Sequence, residues 1–77
     1  MTIGLFVKRF CNIHCIQVKT FMRDTKFRVY PLNTRRSMTI ATYFRVAEYM
    51  SEHSVLPIEF YLKRIKDVLE GNYICRD

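Results

Sequence analysis

The sequence predicts an α+β domain: an N-terminal three-stranded antiparallel β-meander, then two amphipathic helices packed on one sheet face. Two observations predict it. Apolar and polar residues alternate before Pro31, and after Asn33 apolar residues recur at helical spacing. A third observation limits the architecture, because a 77-residue chain buries only about 60% of the surface its unfolded form exposes and so supports one core. Residues 1–77 are therefore expected to form a single domain, with the meander in residues 1–31 and the helical pair in residues 37–71.

In the first strand Ile3, Leu5 and Val7 point one way, and Phe6 and Lys8 the other. Asn12 falls in the following turn. A second strand over residues 14–22 places Ile16, Val18 and Met22 on one side and Gln17, Lys19 and Phe21 on the opposite side. Arg23, Asp24 and Thr25 suit a hairpin turn, although the Asn-Gly or Asp-Gly pair of the commonest tight turns is missing. The third strand, residues 26–30, sends Phe27 and Val29 inward and Lys26, Arg28 and Tyr30 outward.

Ile40, Tyr43, Phe44, Ala47 and Met50 then line one side of a helix, with Ser37 or Thr39 as N-cap. Ile58, Tyr61, Leu62, Ile65, Val68 and Leu69 line another. Pro57 suits its first position and Gly71 its left-handed stop. Glu59 favours the helix dipole and pairs with Lys63 at i,i+4. Residues 73–75 can add a short C-terminal edge strand or pack as a tail. The helices would cover Ile3, Leu5, Val7, Ile16, Val18, Phe27 and Val29, leaving Lys8, Lys19, Lys26 and Arg28 on the open face among Phe6, Phe21 and Tyr30.

The charge is segregated. Of a net +6, residues 1–36 hold eight cations against Asp24 alone, whereas residues 37–77 hold five against six acids. A positive field confined to one part of a small fold draws anionic partners there. A face mixing cations with rings can hold a phosphate backbone while bases stack on its aromatics. The expected function is thus a non-enzymatic basic binding protein for nucleic acid, single-stranded or RNA, with Lys8, Lys19, Phe21, Arg23, Lys26, Arg28, Tyr30, Arg35 and Arg36 as the contact set. The alternative is an inhibitor or adaptor covering an acidic protein surface, anchored by Phe21, Arg23, Arg28, Tyr30 and Arg35. A homodimer would also cover the exposed rings.

Other chemistries find little support. Residues 46–74 resemble a winged helix-turn-helix in outline, with Lys63, Arg64 and Lys66 toward phosphate. The turn is long, however, and the local charge is wrong for a groove-reading element. Cys11, His14 and Cys15 cluster with Cys75 or His53 as further zinc donors, but strand geometry points His14 away from both cysteines, so no metal is expected. A cysteine-histidine nucleophile lacks an orienting partner, and His53 falls in the interhelical loop. Gly4 and Gly71 build no phosphate loop. Glu48 with Glu52, and Asp67 with Glu70, suit solvated helix surfaces. No enzyme and no cofactor is expected. No apolar run reaches the ~20 residues of a membrane span, and Lys8 and Arg9 cut short the only N-terminal one. An odd number of cysteines fits a reducing compartment, so the expected setting is soluble and cytoplasmic.

Overall fold

Thr2 caps the first element and sets its type. Its hydroxyl accepts the Leu5 amide at 3.3 Å, and a helix follows over Ile3–Ile13 (α1). Ile3, Val7, Phe10 and Cys11 are all buried, and their i, i+4, i+7, i+8 spacing is one helical stripe. In this computed structural model, which describes residues 1–33 and 37–71, the other elements are α2 (Val18–Thr25), α3 (Ile40–Glu52) and α4 (Ile58–Leu69). No strand occurs among the described residues. The predicted α+β meander is therefore corrected to an all-helical globule, and the predicted C-terminal strand lies outside the described residues.

Each predicted strand fails for an identifiable reason. The first is α1, because Phe10 and Cys11 extend the apolar pattern at a period that only a helix satisfies. The second is α2: Phe21 and Thr25 are buried and Val18 and Met22 half-buried, again at i, i+3, i+4 and i+7. The supposed hairpin residues Arg23, Asp24 and Thr25 form its last turn. Between the two helices Cys15 takes φ 57°, and the Ile16 amide donates to the Cys11 carbonyl at 2.8 Å. That is a left-handed helix stop with cysteine where glycine is usual.

After the left-handed C-cap Lys26, residues 27–30 run extended, with the expected alternation: Phe27 and Val29 are buried, and Lys26, Arg28 and Tyr30 exposed. Their hydrogen bonds go to helices instead of a ladder. The Phe27 amide donates to Thr25 Oγ1 at 3.3 Å and the Val29 amide to Met22 Sδ at 3.4 Å. The Thr2 hydroxyl donates to the Leu32 carbonyl. The segment thus lies across α1, with the Tyr30-Pro31 peptide bond cis.

The second half follows the sequence closely. Thr39 caps α3, accepting the Thr42 amide at 3.2 Å. Pro57 stands at the N-cap of α4, one place before its predicted position, and Gly71 has φ 75° just past the C-cap. Tyr61 Oη donates to Ser54 Oγ at 2.9 Å, and Ser51 Oγ to the Leu56 carbonyl at 2.9 Å. These bonds fix the α3–α4 turn. The buried side of α3 is Val46, Ala47 and Met50, whereas Ile40 and Phe44 face solvent. Val7, Cys11, Phe21, Val29, Val46, Met50 and Ile65 form the centre of the core.

Gly4 is where the extended segment meets α1. A Cβ there would lie 2.8 Å from the Val29 carbonyl oxygen and 2.9 Å from that of Leu32. An exposed helical glycine gains about 1 kcal/mol on replacement by alanine. Here the methyl meets backbone, and Gly4→Ala is expected to lose about 1–2 kcal/mol by overpacking. Chemical denaturation checks this; an unchanged or raised midpoint would contradict the close approach.

Candidate functional site

The cations of α2 line one side of the helix because its apolar residues claim the other. Lys19, Arg23 and Lys26 follow at i, i+4 and i+7, opposite buried Phe21 and Thr25, and all three are exposed. Lys26 is the C-cap, held left-handed at φ 58° with its amide on the Met22 carbonyl at 2.8 Å. Arg28 comes next on the extended segment, also exposed, and Tyr30 is 44% exposed. Asp24 is the only acid in the stretch. Its carboxylate accepts from Arg23 Nε at 3.2 Å and from Tyr49 Oη at 3.3 Å. An exposed pair of this kind contributes at most about 1 kcal/mol, so Arg23 can exchange Asp24 for another anion at little cost.

The carbonyl end of α2 is braced from α3. Arg45 Nε donates to the Thr25 carbonyl at 2.6 Å, and Thr25 Oγ1 donates to the Phe21 carbonyl at 2.7 Å. Tyr49 packs edge-on against Phe21, with ring centroids 5.1 Å apart. Burial, then the Asp24 carboxylate, raises the pKa of the Tyr49 hydroxyl. The row of cations therefore stands on a backbone anchored to α3.

The predicted contact residues divide. Lys19, Arg23, Lys26, Arg28 and Tyr30 are all exposed along this continuous stretch. Phe21 is fully buried, so its ring has no face for a base and leaves the set. Lys8 is half-buried on α1, in a shallow depression with Leu5, Arg9 and Asn12, separate from the α2 row. Arg35 and Arg36 lie outside the described residues. The aromatic-basic sheet face does not exist as such: its cations survive, and of its rings only Tyr30 remains exposed, Phe6 being half-buried.

Cys11 and Cys15 are free thiols that diverge, one in the core and one exposed in the turn. His14 rests on the Phe10 ring, with centroids 4.3 Å apart. Among the described residues no three His, Cys, Asp or Glu side chains converge to hold a metal ion. Cys75 lies outside them. His53 stacks on Tyr49 at 4.2 Å and its Nδ1 lies 2.9 Å from the Tyr49 carbonyl oxygen, a helix-end contact.

The α3–α4 pair keeps the departures from a helix-turn-helix seen in sequence. Five residues separate its helices, and exposed Lys63 and Lys66 lie between exposed Glu59 and Glu70. The would-be wing falls outside the described residues. A second feature escapes sequence reasoning: a groove between α1 and α4 where Phe10, Phe60 and Tyr61 meet Arg9 and Arg64. No signal short of knowing that α1 is a helix brings these residues together. No helix among the described residues is long and apolar enough to cross a membrane. No known protein family, curated protein or solved structure matches the chain.

Burial pushes the Cys11 thiol from 9.0 up to about 11. At pH 8 about one part in a thousand is thiolate, so iodoacetamide is expected to label Cys15 in the native protein and Cys11 only after unfolding. Peptide mass spectrometry checks this, and equal native labelling would contradict the burial. The raised pKa also gives stability that is full below the unfolded thiol's pKa and is lost as pH rises from there through about 11.

Proposed function

We propose that this chain is a small non-enzymatic binding protein that docks on nucleic acid, single-stranded or RNA, through Lys19, Arg23, Lys26 and Arg28, with Tyr30 beside them. The observation that carries this reading is four solvent-facing cations on one short stretch of α2 and the segment after it, with a single acid among them. Lysine and arginine on phosphates supply affinity without reading sequence. With Phe21 inside, stacking falls to Tyr30 alone, so electrostatics dominate. Free thiols at Cys11 and Cys15 support a reducing, cytoplasmic setting.

Burial of Phe21 takes an anchor from the alternative as well, and the exposed cations support that second reading to the same extent. A cation row with one ring also suits carboxylates on an acidic protein, which the chain would cover as an inhibitor or adaptor. Pull-down from nuclease-treated and untreated lysate separates the two: loss of every partner on treatment fits the nucleic-acid reading, and retention of one protein fits the other.

Titration of a labelled single-stranded oligonucleotide at several salt concentrations is the direct test. Four phosphate contacts give a slope of log K against log salt of about −3, since each contributes about 0.7 on single strands. Lys26→Gly is expected to shallow that slope by about 0.7 while raising stability by about 0.5–1 kcal/mol, because glycine relieves the left-handed backbone at this position. Absence of binding at low salt, or a slope that Lys26→Gly leaves unchanged, would overturn the reading.

A further inference from the structure

Six exposed apolar side chains gather around the groove between α1 and the first turns of α4. Met1, Ile13, Leu56 and Phe60 line it, Leu5 adjoins it in a shallower depression that shares Met1, and Val55 precedes Leu56 in the α3–α4 turn. Ile13 is 67% exposed and Val55 fully exposed. The other exposed large apolar residues among those described, Tyr30, Ile40 and Phe44, lie on the extended segment and on α3. Helix α1 turns Ile3, Val7, Phe10 and Cys11 into the core, which leaves Leu5 and Ile13, at i and i+8, as a second stripe outside it.

The patch offers both a hollow and a projection. The hollow is the groove, about 310 Å³ in volume, where Phe10 and Tyr61 meet edge-on at 5.6 Å. The projection is the turn beside it, which hydrogen bonds hold in place. Ser51 Oγ donates to the Leu56 carbonyl at 2.9 Å, the Leu56 amide to Ser54 Oγ at 3.3 Å, and Tyr61 Oη to Ser54 Oγ at 2.9 Å. A side chain presented on a fixed turn loses little freedom on binding. A hollow and a projection side by side complement a second copy related by a two-fold axis, where each contact forms twice.

The area is sufficient for such a pair. At roughly 100–150 Å² for a fully exposed side chain of this size, the exposed fractions of the six amount to about 300–500 Å² on each copy. Two copies then bury about 600–1,000 Å² of apolar surface, and at an apolar share of about six-tenths the whole interface is about 1,000–1,600 Å². That reaches the about 1,000 Å² a specific interface needs.

We infer that this chain forms a two-fold homodimer through the α1–α4 patch, with Val55 of each copy entering the groove of the other. The net charge of +6 opposes the pairing, so salt strengthens the dimer by screening that repulsion. Salt acts in the opposite direction on nucleic-acid binding by the α2 row. The two surfaces share no residue, and the dimer does not rest on the nucleic-acid reading.

Sedimentation equilibrium of the intact chain, taken to about 1 mM so that weak pairs register, is the test. The mass is expected to level at twice that of one chain, with tighter association at higher salt. Val55→Asp and Ile13→Lys, both at exposed positions, are each expected to weaken the dimer about ten-fold or more with unchanged circular dichroism spectra. Ile40→Lys, at an exposed apolar residue of α3, should leave it intact. In a mixture of isotope-labelled and unlabelled chains, NMR contacts between copies should join the Val55 methyls to the Phe60 ring. A mass that stays at one chain throughout or grows past two, a dimer that survives both Val55→Asp and Ile13→Lys, or weakening by salt would overturn the assignment.

Discussion

The carbonyls of Val29 and Leu32 lie against α1 where residue 4 has no side chain, and the rest of the arrangement depends on that contact. It lets an extended segment sit on a helix at a separation that any Cβ would forbid. The Thr2 hydroxyl, on the Leu32 carbonyl, fixes the same contact from the cap of α1. Once the segment is down, Phe27 and Val29 enter the core and Lys26, Arg28 and Tyr30 face out. The chemistry of the surface is thus set by a backbone approach on the other side of the chain.

Three polar or aromatic ties then join the helices around the common core. Arg45 reaches from α3 to the last carbonyl of α2, where a cation also complements the helix dipole. Tyr49 joins α3 to Phe21 and Asp24 of α2, and Phe10 joins α1 to Tyr61 of α4. The first two ties brace the backbone beneath the cation row, and the third forms the floor of the α1–α4 groove. Each candidate surface is supported by a different helix pair.

The second half of the fold was legible because α3 and α4 offer long windows with complete punctuation: Thr39 and Pro57 before them, Gly71 after. The first half was not. Ile3, Leu5 and Val7 alternate, yet Ile3 and Val7 are equally an i,i+4 pair, and five residues cannot separate the two periods. Phe10 and Cys11 decide it, and β-branched and aromatic neighbours hide the decision by their strand preference. In residues 26–30 the alternation correctly reported one-sided burial, but burial on one side does not require a neighbouring strand. At the site, exposure of Lys19, Arg23, Lys26 and Arg28 was readable from charge alone. Phe21 was misplaced by the period: two residues apart share a strand face but stand about 200° apart on a helix. The α1–α4 groove was invisible for the same reason.

Nuclear Overhauser contacts and carbon secondary shifts of the uniformly labelled chain test the central placement most directly. The expected result is helical shifts across residues 3–13 and 18–25, with contacts from the Gly4 α-protons to Val29 and Leu32. Extended shifts over residues 3–8 and 16–22 with cross-strand α-proton contacts would contradict it, and with it the origin assigned to the outward-facing cations.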